Sequence, residues 1–112
     1  MEKNMSGERE IKVRRLMQSF EHQISEMNSQ AIKEIAGDIK KSDFLELAQS
    51  ISILRAKYLK DVLMIAHADE EHLTNKLCYE TKEAREAYLE AIESFDQLKH
   101  ALQRGYFNLV DD

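Results

Sequence analysis

Apolar residues recur along this chain at helical spacing. Val13, Leu16, Met17, Phe20, Ile24, Met27, Ala31, Ile35 and Ile39 line up on one side of a helix, the signature of an amphipathic element. Ser6 is the candidate N-cap of this first helix, because its hydroxyl can accept from an unpaired first-turn N–H. Gly37, followed by Lys40, Lys41 and Ser42, supplies the stop. Asn28 and Ser29 compete with the helical backbone through their side chains, but the stripe keeps its phase across them, so one helix is expected.

Ser42 or Asp43 opens the second helix, and Asp43 with Glu46 fits a variant of the capping box. Phe44, Leu47, Ala48, Ile51, Leu54, Tyr58, Val62 and Ile65 form its stripe, widened by Leu45, Ile53, Leu59, Leu63 and Met64. That is more apolar surface than one neighbouring helix covers. The second helix is therefore expected to be the most buried, facing two helices or a partner chain, with Leu59 and Met64 on its outer edge.

The end of this helix is ambiguous, since His67-Ala68-Asp69-Glu70-Glu71-His72 holds neither Gly nor Pro. In one partition it stops near residue 67 and a long helix covers about 70–104. In the other it continues to about 79, and Thr81 caps a last helix from about 82. Leu73 and Leu77 continue the periodicity, which favours the second partition. The last helix carries Ala84, Tyr88, Ala91, Ile92, Phe95, Leu98 and Leu102, and Gly105 closes it after Arg104.

These elements predict an all-α fold: an antiparallel helical bundle of three long helices, with room for a fourth short one, in a single domain spanning 1–112. Residues 1–6 are expected to be a flexible N-terminus and 105–112 an apolar, acidic tail. Tyr106, Phe107, Leu109 and Val110 are unusually apolar for such a position. The tail either folds back over the bundle end, the favoured reading, or docks on a partner through Tyr106, Phe107 and Leu109.

Composition narrows the function classes. With no Pro, three Gly, 43% hydrophobic and 33% charged residues, the chain is neither a collagen, a linker nor a loop-rich secreted scaffold. A net charge of −5 argues against general affinity for nucleic acid or an anionic membrane. Arg9, Lys12, Arg14 and Arg15 form a local basic cluster, interleaved with Glu8 and Glu10, which reads as a solvated helix face. The longest apolar run, Val62–Ala66, is far too short to span a bilayer. One cysteine, Cys78, and no signal-peptide pattern at the N-terminus point to a cytoplasmic protein. Cys78, between Leu77 and Tyr79, is expected to be a buried or half-buried filler.

Candidate chemistry is sparse. On a continuous helix His67 and Glu71 would share a face, with His72 beside Asp69, so His67, Glu71 and His72 are the weak metal-ligand candidates. A metal needs more ligands than one face of that segment offers, and structural or surface histidines are the better reading. The series Glu83, Glu86, Glu90, Glu93 and Asp96 is superficially similar to the magnesium-binding pattern of all-helical nucleotide pyrophosphohydrolases. In that family the carboxylates converge from separate helices, whereas here they share one, so a solvated acidic face is expected. Neither His67 nor His72 has the Lys-Gly neighbourhood of a histidine phosphotransfer domain, and no serine, cysteine or glycine-loop signature is present. No cofactor is expected.

The leading expectation is a non-catalytic protein–protein interaction module whose first partner is itself, as a homodimer. The alternatives are a metal- or cofactor-binding bundle enzyme and a nucleic-acid-associated regulator.

Overall fold

The computed structural model describes residues 2–111, with side chains from Ser6 onward. Met1, where the expected flexible segment 1–6 begins, lies outside those residues. The described chain is all-helical, with α1 (Glu2–Ile35), α2 (Lys41–His67) and α3 (Asn75–Gln103) and no fourth helix among the described residues.

α1 starts upstream of the expected cap, so Ser6 lies inside it rather than at its end. Residues 2–5 contain no Gly or Pro to stop helical hydrogen bonding from propagating. Asn28 and Ser29 do not interrupt the helix, as expected from the unbroken stripe. Gly37 ends it in the left-handed region at φ 77°, its N–H reaching back to the carbonyls of Ile32 and Lys33 at 3.2 and 3.1 Å. A residue with a Cβ occupies that region at a cost.

α2 opens slightly earlier than the pattern suggests, with Lys40 as the flanking residue. Asp43 does cap it, by a route other than the expected pairing with Glu46: its carboxylate accepts from the Lys40 N–H at 2.8 Å. Its own N–H donates to the Lys40 carbonyl at 3.1 Å.

The favoured partition of the second helix is wrong. α2 stops at His67, and Ala68 turns the chain into extended backbone at ψ 134°. Two polar side chains make the break that Gly or Pro makes elsewhere. Asp69 accepts the His72 N–H on its side chain at 3.0 Å, and its carbonyl takes the N–H groups of His72 and Leu73. Thr74 then caps α3, accepting from the Leu77 N–H at 3.2 Å, an ordinary N-cap arrangement. Thr81, the expected cap, sits inside α3 and donates its hydroxyl to the Leu77 carbonyl at 2.9 Å. Gly105 closes α3 as expected. It lies at φ 76°, with Gly105 N–H on the Leu102 carbonyl and Tyr106 N–H on the Ala101 carbonyl, both 3.0 Å. This is the paired bonding of a Schellman stop.

The residues group into two compact units. Among the described residues, one joins 2–39 to 101–109; the other joins 40–100 to 110–111. In the second, α2 and α3 lie side by side. Phe44 meets Phe95 edge-to-face at 5.9 Å between centroids, and Tyr58 stacks on Tyr88 at 6.1 Å. Moving up α2 thus means moving down α3. Ile51 (7% exposed) and Leu77 (9%) are the buried apolar residues of this pair, with Phe44, Leu47, Leu54, Ile65, Phe95 and Leu98 half-buried around them. Val110 bridges to Lys40, and Asp111 pairs with Lys41 at 3.2 Å. In the first unit, Tyr106, Phe107 and Asn108 line a cleft of about 280 Å³ together with Ser29, Ile32 and Lys33 at the end of α1.

Candidate interaction surfaces

Beside Ile51 on the α2–α3 pair, Arg55 donates from Nε to the Tyr88 hydroxyl at 2.9 Å. Its guanidinium carbon lies 5.3 Å from the Tyr88 ring centroid, within cation–π range. The Tyr58 ring lies nearly parallel to it at 24°. Arg55 is exposed and both tyrosines are half-buried, so an Arg–Tyr cluster reaches the surface. Arginine and tyrosine are enriched where proteins meet. This pair joins residues 33 apart in sequence, and nothing in local spacing announces it.

The turn between α2 and α3 holds the histidine segment. His67 is the last residue of α2, whereas Glu71 and His72 lie in the turn, so the shared helix face that suggested a ligand set does not form. His72 Nδ1 instead pairs with the Asp69 carboxylate. That bond, with the backbone N–H of the same residue, holds the Asp69 carboxyl below its ordinary 3.8. His67, Glu71 and His72 border an open cavity of about 590 Å³ with Met64 and Leu77. Among the described residues no three of His, Cys, Asp and Glu converge closely enough to hold a metal ion. His22, in α1, pairs with Glu26 at 3.1 Å.

The acidic series on α3 is exposed at Glu83, Glu86, Glu90, Glu93 and Asp96, and its pairings are local. Lys82 faces Glu86 at 3.9 Å and Lys99 faces Asp96 at 3.2 Å. Tyr79 donates to Glu83, and the carboxylate pushes the phenol pKa up. Cys78 is exposed, contrary to the expected filler role. Leu77, not Cys78, turns into the pair once Thr74 sets the start of α3.

Apolar surface is the most abundant feature. On α1, Val13, Leu16, Met17, Phe20, Ile24 and Met27 are all exposed, from 45% at Phe20 to 64% at Met27. On α2, Leu59 is 50% exposed, Leu63 57% and Met64 48%. Of the tail residues singled out from sequence, Tyr106, Phe107 and Leu109 are half-buried. No helix among the described residues is long and apolar enough to cross a membrane. No family model matches the chain, and neither a curated protein nor a solved structure does so.

Proposed function

We propose that this chain is a non-catalytic protein–protein interaction module whose first partner is a second copy of itself. The observation that carries the reading is the run of exposed large apolar residues on α1 and on the outer edge of α2. Removing the exposed half of one such side chain from water stabilises by about 1 kcal/mol. Several such residues on each helix therefore favour a protein surface over solvent. The finer architecture proposed is an antiparallel helical bundle completed by dimerisation, in which Leu59 and Met64 meet the partner. The Arg55–Tyr88–Tyr58 cluster supports the same reading, since tyrosine and arginine are enriched among the residues that carry binding energy and tyrosine loses little freedom on docking.

Sedimentation of the full chain across a concentration series tests this reading. A dimer is expected, weakened by Leu59→Glu and by Met64→Glu. Unchanged dimer mass in both variants removes the α2 edge from the interface, and a monomer at every concentration removes self-association.

A further inference from the structure

Resting on self-association as the function, we propose that the outer row of α2 is the receiving face of the dimer. Its occupant is α1 of a second copy, lying parallel to α2 in the groove that α2 and α3 leave open. α2 carries two rows. Phe44, Leu47, Ile51, Leu54, Tyr58 and Ile65 turn towards α3 and are buried or half-buried. Leu45, Gln49, Ser52, Ala56, Leu59 and Leu63 form the second row, all exposed and none charged. A cleft of about 290 Å³ opens beside it, lined by Ala48, Ile51 and Arg55 of α2 and by Ile92 and Phe95 of α3.

Spacing and size match the two surfaces. The second row advances by four, three, four, three and four residues, as do Val13, Met17, Phe20, Ile24, Met27 and Ala31 on α1. This is the spacing of a helix seam. Laid side by side in the same direction, Val13 meets Leu45, Met17 meets Gln49, Phe20 meets Ser52, Ile24 meets Ala56, Met27 meets Leu59 and Ala31 meets Leu63. The bulky Phe20 and Ile24 lie over the small Ser52 and Ala56, and the small Ala31 lies against Leu63, so the two profiles interlock. No facing pair carries a charge.

Charge sets the direction. Arg55 is held through Nε by Tyr88, and no carboxylate among the described residues pairs with it. In parallel pairing the residue after Phe20 and the residue before Ala56 share a flank, so Glu21 comes beside Arg55. Arg14 falls level with Glu46 and near Asp96 and Asp111, which hold Lys99 and Lys41 at 3.2 Å. Reversing the incoming helix keeps the spacing. It turns Glu21 to the flank away from Arg55, however, and brings Arg14 beside Lys60.

Chain length sets the source. Residues 36–40 join α1 to α2 and reach at most about 20 Å. A chain laying its own α1 parallel to its α2 would have to return along nearly all of α2, about 40 Å. A parallel α1 on this row therefore comes from a second copy. The tail leaves the stripe clear, because its cleft takes in Ser29, Ile32 and Lys33. Ser29, two residues from both Met27 and Ala31, is on the other side of α1. When each copy gives its α1 and receives the other's, the contact closes a dimer.

The test uses the full chain carrying Cys78→Ser, so that any introduced thiol is alone. A Val13→Cys chain mixed with a Leu45→Cys chain should join through a short thiol crosslinker, and neither variant should link when alone. Val13→Cys mixed with Leu63→Cys should not join. Linkage at Leu63 but not at Leu45 means antiparallel pairing and overturns the proposal. Ala56→Glu should lower dimer affinity at least about tenfold, with helix content retained by circular dichroism. Arg55→Glu and Glu21→Arg should each weaken the dimer about two- to fivefold, and the two together should recover most of the loss. Loss without recovery confines Arg55 to its contact with Tyr88 and removes the charge argument. A dimer that survives Ala56→Glu and yields no link at Leu45 sinks this seam while leaving self-association standing. A chain that is monomeric before any substitution sinks both.

Discussion

α1 and the α2–α3 pair begin from similar sequence patterns and end in different conditions. α2 finds α3 alongside it, and the contact buries Ile51 and Leu77 and brings Phe44 to Phe95 and Tyr58 to Tyr88. α1 carries an equally regular stripe that stays exposed from Val13 to Met27. Periodicity tells a helix which face to keep apolar. It does not say what will cover that face. Helices of this length draw most of their stability from packing rather than from propensity, and within its own compact unit the α1 stripe between Val13 and Met27 is left without that packing.

The largest effect should separate the two regions directly. Ile51→Ala removes a buried branched side chain and is expected to cost about 2–5 kcal/mol in urea unfolding of dilute protein. Ile24→Ala on the α1 stripe should cost less than about 0.5 kcal/mol under the same conditions, since alanine is the better helix former and little burial is lost. Its effect should grow with protein concentration. Equal losses at the two positions would erase the distinction.

Stops and caps come next. Gly105→Ala places a Cβ at φ 76° where no atom lies within 4 Å of it, so the cost is conformational. About 1–2 kcal/mol is expected in thermal or urea unfolding. Thr74→Ala strips α3 of its cap and should cost about 1 kcal/mol. Hydrogen exchange should then rise first at the Cys78 and Leu77 amides.

The smallest effect concerns pH at the turn. Asp69 has its pKa lowered by the His72 side chain and N–H. Its carboxylate therefore favours the folded turn above its ordinary 3.8 and loses that contribution as pH falls through the lower folded value. The His72 amide resonance should shift across that acid range, and the shift should vanish in Asp69→Ala. Neither α1 nor the aromatic contacts of α2 and α3 should respond with it.

Much of the secondary structure was legible in the sequence. The stripes gave three helices, and Gly37 and Gly105 marked two stops because both turns use a backbone region that favours glycine. The break after His67 was not legible from glycine or proline, since side chains make it. Asp69 stands three residues before His72 and Thr74 three before Leu77, the spacing at which a short polar side chain reaches a backbone N–H. Those were the available signals, and the continuing Leu73 and Leu77 periodicity outweighed them. That one displaced boundary also removes the weak metal-ligand alternative, which needed His67 and Glu71 on one helix. The Arg55–Tyr88 contact depends on two helices meeting, so no local pattern could have announced it.

The capped turn has a kinetic consequence. Once Asp69 and Thr74 fix the reversal between His67 and Asn75, α2 and α3 can join by extending outward from it. Tyr58 and Tyr88 are the nearer aromatic pair, and Phe44 and Phe95 the farther one. Each added contact lengthens a loop that is already closed, and the entropic cost of loop closure grows only slowly with length. Local closure of this kind belongs to the fast end of folding. The pair can therefore assemble like a zip fastener from the turn, at a rate that does not depend on protein concentration.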